Sequence, residues 1–176
     1  MDMNKIAVIG SGGAGKSTFS RKLGELISIP VYHLDSLYWS PGWIETPKDK
    51  WEPIVEGLAK KEEWVIDGNY GNTLDIRLKA ADTIIFLKMP TYLCLYRIIK
   101  RRFMYQGKTR PDMNAGCEEK LDLEFVNWVW SFNRKRAPGI LEKIERYEGE
   151  KKVIILKSPS EVEAFLKSIK DLVVKV

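Results

Sequence analysis

Five short runs of almost unbroken apolar residues recur along the chain: Lys5 to Ile9, Val31 to Leu34, Trp64 to Ile66, Thr83 to Leu87 and Val153 to Leu156. Runs of this length without polar alternation suit strands of a sheet covered on both faces. Between them the apolar period lengthens to that of a helix. Lys16 to Ile27 carries one such stretch, closed by Pro30. Thr46-Pro47, with Asp49 three residues after the threonine, predicts another: a cap, a pre-set φ and a first-turn carboxylate. Past Pro90, Tyr92, Leu95, Ile98, Ile99 and Phe103 mark an amphipathic helix, and Leu121, Phe125, Trp128, Val129 and Phe132 mark the next. Ser158-Pro159-Ser160-Glu161 opens the last helix, whose apolar positions are Val162, Phe165, Leu166, Ile169 and Leu172. Strands and helices in alternation predict an α/β fold with a parallel sheet and right-handed crossovers. Ligands in such sheets lie beyond the carboxyl ends of the strands.

The first of those ends carries Gly10-Ser11-Gly12-Gly13-Ala14-Gly15-Lys16-Ser17, which fits the phosphate-loop pattern G-x-x-x-x-G-K-[ST] at every fixed position. The glycines let the backbone curl around an anion, and the helix that follows turns its N–H groups and dipole toward it. The chain is therefore expected to bind ATP or a related triphosphate. Gly10 through Gly15 would form the cradle, Lys16 would reach the β- and γ-phosphates, Ser17 would ligate Mg²⁺ and Thr18 would add a phosphate contact.

Two carboxylates close neighbouring strands. Asp67 ends Val65-Ile66-Asp67-Gly68-Asn69-Tyr70, where holding Mg²⁺ through a water is the expected chemistry and an Asp-Gly turn is the plainer reading. Asp35 follows His33-Leu34 and is placed for an acceptor, taking a hydrogen bond or a proton from its hydroxyl, unless it merely caps the next turn. His33 is the sole histidine; phosphoryl transfer depends on positioning and charge more than on a base, so a hydrogen-bonded structural role is expected for it. Tyr32, Tyr38, Trp39, Trp43 and Trp51 crowd the same region. They fit either an aromatic wall over an acceptor or a satellite core under a loop.

With 176 residues, 44% hydrophobic and 30% charged, the chain reads as one ordered domain spanning 1–176. It shows neither a signal peptide nor an apolar run long enough for a membrane span, and Cys94 and Cys117 lack zinc-like or disulfide-framework spacing. A cytoplasmic setting with reduced thiols follows as the expectation. Between Arg97 and Arg136 there are ten basic residues against five acidic, an excess that equals the +5 net charge of the entire chain. This segment, 97–136, reads as a basic helical lid whose partner is anionic: the phosphates of a small molecule or those of a nucleic acid. Arg97, Arg101 and Arg102 share one flank of its first helix, Arg110 lies in the joining loop, and Arg134 opens the closing run Arg134-Lys135-Arg136.

The phosphate loop near the N-terminus, the strand-end aspartates and the arginine-bearing helices after the fourth strand together resemble the adenylate-kinase-like group of nucleotide, shikimate and gluconate kinases. The segments Pro30-Val31-Tyr32-His33-Leu34-Asp35, Pro41-Gly42-Trp43, Trp64-Val65-Ile66-Asp67-Gly68-Asn69-Tyr70 and Thr109-Arg110-Pro111-Asp112-Met113 are similar to the bacterial DNA topology modulation proteins of that group. The resemblance implies a three-layer phosphate-loop fold with five parallel strands in the order 2-3-1-4-5 and a short lid between the fourth and fifth. It also implies that Arg97 and Arg101 contact ATP phosphates and that Asp67 stands for the acid of the D-G-F-P-R motif. Here the chain departs from the motif: Asn69-Tyr70-Gly71 follows Asp67-Gly68, and the nearest arginine is Arg77.

Two functions fit these observations. One is an ATP- and Mg²⁺-dependent small-molecule or nucleotide kinase, with Lys16, Arg97 and Arg101 on the transferring phosphoryl group and Asp35, Asn69, Arg77, Arg110 and Arg134 toward the acceptor. The other is a nucleotide-gated DNA binder that uses the basic segment. Interleaved acidic residues make that segment a weak DNA-binding surface.

Overall fold

The computed structural model describes residues 3–110 and 112–174; Pro111 of the Thr109-to-Met113 run lies outside the described residues. Five strands form the main sheet: β1 (Lys5–Gly10), β2 (Val31–His33), β5 (Trp64–Asp67), β6 (Thr83–Leu87) and β7 (Lys152–Leu156). All pair in parallel, in the spatial order β2-β5-β1-β6-β7, which is 2-3-1-4-5 when these five alone are numbered. A two-stranded antiparallel ribbon, β3 (Trp39–Ser40) with β4 (Ile44–Glu45), stands apart from it. The helices are α1 (Lys16–Ile27), α2 (Leu34–Tyr38), α3 (Lys48–Ala59), α4 (Leu74–Ala80), α5 (Thr91–Met104), α6 (Leu123–Lys135), α7 (Ala137–Glu145) and α8 (Pro159–Val173).

The unbroken apolar runs have the expected physical cause. Alternate residues of one strand serve two different cores. Ala7, Ile9, Trp64, Ile66, Ile84 and Phe86 pack on one face with Val55 of α3, Leu78 of α4 and Phe132 of α6. Ile6, Val8, Val65, Ile85 and Leu87 pack on the other with Phe19 and Leu23 of α1, Ile98 of α5 and Ile169 of α8. Two layers of helix thus sandwich the sheet. The Asp82 carboxylate accepts from the backbone N–H groups of Asn4 and Lys5 at 2.9 and 2.8 Å, tying the start of β1 to that of β6.

Several local expectations change. Leu34, read as the end of the second strand, is the first residue of α2, because the Ser36 hydroxyl donates to the His33 carbonyl at 2.8 Å and closes a turn there. Thr46 does not cap α3: its hydroxyl donates backward to the carbonyls of Leu37 and Tyr38, and Pro47 occupies the cap position. Leu121 precedes α6, whose cap is Asp122 accepting from Phe125 N–H at 2.7 Å. The Ser158 hydroxyl accepts from Glu161 N–H and the Glu161 carboxylate accepts from Lys157 N–H, so the signature read before α8 performs its capping role. Helices α2, α4 and α7 and the β3–β4 ribbon were not anticipated; they are short, and short elements leave weak periodicity.

Register brings His33, Asp67, Gly10 and Leu87 to one end of the sheet, with His33 opposite Asp67 and Gly10 opposite Leu87. That end carries the cavity described below. At the opposite end of β2, α1 packs closely on the strand: a Cβ at Gly24 would lie 2.3 Å from Val31 Cγ2 and 2.8 Å from the Ile29 carbonyl oxygen. We expect Gly24→Ala to cost about 1–3 kcal/mol through overpacking. Urea unfolding should show a lower midpoint at unchanged slope; an unchanged midpoint would mean that this contact does not constrain the fold.

Candidate active site

Beyond the carboxyl ends of the strands lies a cavity of about 930 Å³, and residues Gly12 to Thr18 line it. Gly10 and Ser11 stand behind that lining, where the Ser11 carbonyl accepts from Lys16 Nζ at 3.0 Å and from Ala14 N–H at 3.2 Å. Gly13 and Gly15 take φ values of +75° and +93°, the left-handed region in which a side chain is strained. Among the described residues the N–H groups of Gly13, Gly15, Lys16, Ser17 and Thr18 find no protein acceptor. A run of unengaged amides at a helix N-terminus is a fitted seat for phosphate. Burial pulls the Lys16 pKa down, with Asp35 and Asp67 acting in the opposite sense.

The two strand-end aspartates have different situations. Asp67 is 3% exposed and lies behind the cavity wall, its Oδ2 2.5 Å from His33 Nδ1. That hydrogen bond is the main reason the His33 pKa is raised, and it fits the structural part read for the histidine. Asp35 faces the cavity, and its Oδ1 accepts from the Tyr70 hydroxyl at 2.9 Å. Burial first, then the Asp35 carboxylate, push the Tyr70 phenol pKa up, so it remains a proton donor to Asp35. Tyr70 is itself fixed by Tyr38 and Trp51, with ring centroids 4.7 and 4.9 Å away. The aromatic group thus divides: Trp51 belongs to the core of one sheet face with Tyr32, Tyr38 and Tyr70 packed against it, while Trp39, Trp43 and the edge of Tyr70 line the cavity.

Asn69 and Arg110 also line the cavity, but two residues put forward for the acceptor do not. Arg77 is fully buried, and its guanidinium donates to the carbonyls of Gly68 and Tyr70 at 2.9 and 3.1 Å. Burial lowers its pKa to about 10, which leaves it charged at neutrality. It therefore shapes the loop that carries Asn69 instead of meeting an acceptor. Arg134 is exposed near the end of α6 and away from the lining.

Helices α5 and α6 cover the phosphate loop. Arg97 Nη1 lies 3.1 and 3.4 Å from the carbonyl oxygens of Ala14 and Gly13, against the phosphate loop. Arg101 donates through Nε to Glu119 Oε1 at 2.7 Å, and Arg110 Nε forms an ion pair with Glu119 Oε2 at the same distance. Glu119 is 4% exposed. Sequence reading counted it only as one acid among many; the interleaving of acids with arginines was the available signal. Asp112 was missed in the same way. Burial alone would push its carboxyl up, but Arg110 and a hydrogen bond from the Ser17 hydroxyl bring it below the usual carboxylate range.

Among the described residues no group of three or more His, Cys, Asp or Glu forms a metal cage. The donor set suits Mg²⁺ all the same, since that ion takes one or two protein oxygens and completes its shell with phosphate and water. No helix among the described residues is long and apolar enough to cross a membrane.

Strand order, phosphate loop and covering helices define the phosphate-loop kinase fold. Solved structures agree with that assignment. The chain is similar to shikimate kinase from Acinetobacter baumannii in complex with shikimate, at 18% identity and TM-score 0.62 over 98% of this chain and 94% of that one. It is also similar to a gluconokinase from Sinorhizobium meliloti 1021, at 17% identity and TM-score 0.53 over 98% and 93%. A shikimate kinase from Bacteroides thetaiotaomicron matches at 16% identity and TM-score 0.52 over 99% and 100%. No family model and no curated protein matches the chain.

If Arg77 holds the Gly68-to-Tyr70 loop, Arg77→Met should lower stability by about 2–4 kcal/mol, because two loop carbonyls lose their donors. Chemical denaturation measures this directly. A cost below about 0.5 kcal/mol, the ordinary range for surface changes, would refute the role given to the guanidinium.

Proposed function

We propose that this protein is an ATP-dependent phosphotransferase that moves the γ-phosphoryl group to a hydroxyl of a small molecule. The observation that carries this reading is the sharing of one cavity by a phosphate loop with unengaged amides and by Asp35 with Asn69. Donor and acceptor elements then meet at a single point, which is the positioning that phosphoryl transfer requires. Lys16 and Arg97 supply positive charge toward the transferring group, and Arg101 stands one turn further along α5. Asp35, oriented by Tyr70, accepts the hydroxyl proton of the acceptor. Ser17 is the cavity-facing ligand for Mg²⁺, with Asp67 reached through water and Asp112 at the same hydroxyl. Bound there, Mg²⁺ neutralises charge on the β- and γ-phosphate oxygens. The segment from α5 to α6 acts as a lid that keeps water from replacing the acceptor.

The DNA-binding alternative finds less support. Of the basic segment, Arg97, Arg101 and Arg110 engage loop carbonyls and Glu119 inside the protein. The exposed cations of the segment are Lys100, Lys108, Lys120, Arg134, Lys135 and Arg136, and acidic residues such as Glu118, Asp122 and Glu124 are interleaved with them. The likeness to DNA topology modulation proteins stays a matter of sequence segments.

Lys16→Ala should reduce acceptor-dependent ADP formation by about 10²–10³-fold, the usual loss for one electrostatic contact to a transferring group. Asp35→Asn should lower kcat by about 10²-fold or more while leaving ATP affinity within twofold, as expected for loss of a general base. Coupled ADP-release assays and isothermal titration with ATP measure the two effects. Equal activity of wild type and Lys16→Ala across nucleosides, nucleotides and hydroxy acids would remove the basis for the kinase reading.

A further inference from the structure

We infer that the outer face of α5 and the adjoining flank of α6 form an interface with a second copy of this chain, the two α5 helices lying antiparallel across a twofold axis. This pairing is independent of the phosphotransferase reading.

Helix α5 has two opposed sides. Cys94 and Ile98 are buried in the core of one sheet face, and Arg97 reaches back to the Gly13 and Ala14 carbonyls. Tyr92, Tyr96, Ile99 and Phe103, spaced four, three and four residues apart, line the side turned to solvent. Helix α6 runs antiparallel beside it. Asn133 donates to Thr91 Oγ1 at 3.1 Å near one end, and the Arg101 guanidinium lies 6.0 Å from the Phe125 ring near the other. Trp130, one turn from Asn133, and Leu123, two turns before Trp130, follow the same flank of α6. These six apolar residues are between 44% and 81% exposed.

A whole aromatic side chain carries about 150–250 Å², so their exposed fractions together present on the order of 800 Å². The largest apolar patch of an ordinary monomer is about 300–600 Å², whereas one partner of a standard interface contributes about 800 Å². The patch holds four aromatic rings and no charged side chain, which is the composition of the buried centre of a protein interface. Its spacing of four, three and four reads the same in both chain directions. Two antiparallel α5 helices therefore set Tyr92 against the partner's Phe103 and Tyr96 against the partner's Ile99, and each contact occurs twice, as an isologous interface requires. The same operation brings together the α6 flanks that carry Trp130. An anionic bilayer would call for a row of cations beside the apolar face, but Lys100 is the only exposed cation of α5. Pairing would also brace the helix on which the phosphate loop packs, since a Cβ at Gly13 would lie 2.4 Å from the Cys94 carbonyl oxygen.

Sedimentation velocity and light scattering on the full chain at micromolar concentration test this pairing. The wild type should show twice the 20.3 kDa mass of one chain. Tyr96→Lys and Phe103→Lys on α5, and Trp130→Lys on α6, each with an unchanged circular dichroism spectrum, should raise the dimer dissociation constant about tenfold or more, because a charge enters the apolar contact. Leu172→Lys, at an exposed apolar residue of α8, should leave it within twofold. The dimer should hold or tighten as salt rises, since the contact is apolar and the two copies of Lys100 at its edge repel. A monomeric wild type overturns the inference; if that monomer sediments with vesicles of phosphatidylcholine and phosphatidylglycerol while the lysine variants do not, the face belongs to a bilayer instead. A dimer that none of the three variants weakens, or that high salt dissolves, has its interface elsewhere and overturns the inference as well.

Discussion

No side chain fits between the phosphate loop and the two helices that follow β6, and the rest of the site depends on that exclusion. A Cβ at Gly13 would lie 2.4 Å from the Cys94 carbonyl oxygen of α5, and one at Gly12 would lie 2.7 Å from Phe125 Cζ of α6. Both separations are too short for non-bonded contacts of a carbon atom, so the loop backbone serves as the packing surface for the covering helices. Because α5 sits so close, Arg97 reaches the Gly13 and Ala14 carbonyls of the phosphate loop. Because α6 sits so close, Phe125 and Trp128 border the same cavity.

Polar and charged groups in and behind the cavity are paired with one another. Glu119 binds two arginines, Asp67 binds His33, and Tyr70 binds Asp35. Such pairing keeps buried ionic groups in place, since removing one partner strands the other in a poorly solvated site. It also directs chemistry: among the described residues the N–H groups of Gly13, Gly15, Lys16, Ser17 and Thr18 and one oxygen of Asp35 are left without protein partners. A donor phosphate and an acceptor hydroxyl are the groups those atoms can receive. The basic excess of the lid segment, conspicuous in the sequence, is thus partly consumed within the fold.

Much of this was legible beforehand for physical reasons. The five strands were visible because each is buried on both faces and is therefore apolar at successive positions. The phosphate-loop run Gly10 to Ser17 was visible because its pattern fixes residue types at set spacing along one strand-loop-helix unit, here β1, the loop and α1. Arg77 shows where that kind of reading stops. Its distance from Asp67 in sequence suggested a displaced acceptor ligand, yet only the path of α4 beneath the Gly68-to-Tyr70 loop turned the guanidinium inward. Similarly, the aromatic residues after β2 were equally suited to a wall or a core, and the turn of α2 split them between the two.

The amino-acid sequence by itself determined the layered α/β architecture and the placing of the phosphate-loop run between β1 and α1, because both follow from local periodicity and from a contiguous motif. Tertiary structure alone decided which charged residues face the cavity and which are spent on one another. Glu119, Asp112 and Tyr70 gained their parts through contacts with residues 18, 95 and 35 positions away, respectively with Arg101, Ser17 and Asp35. Hydrogen bonds and ion pairs between distant segments leave no periodic trace, so partnership at that range becomes readable only when the chain is folded.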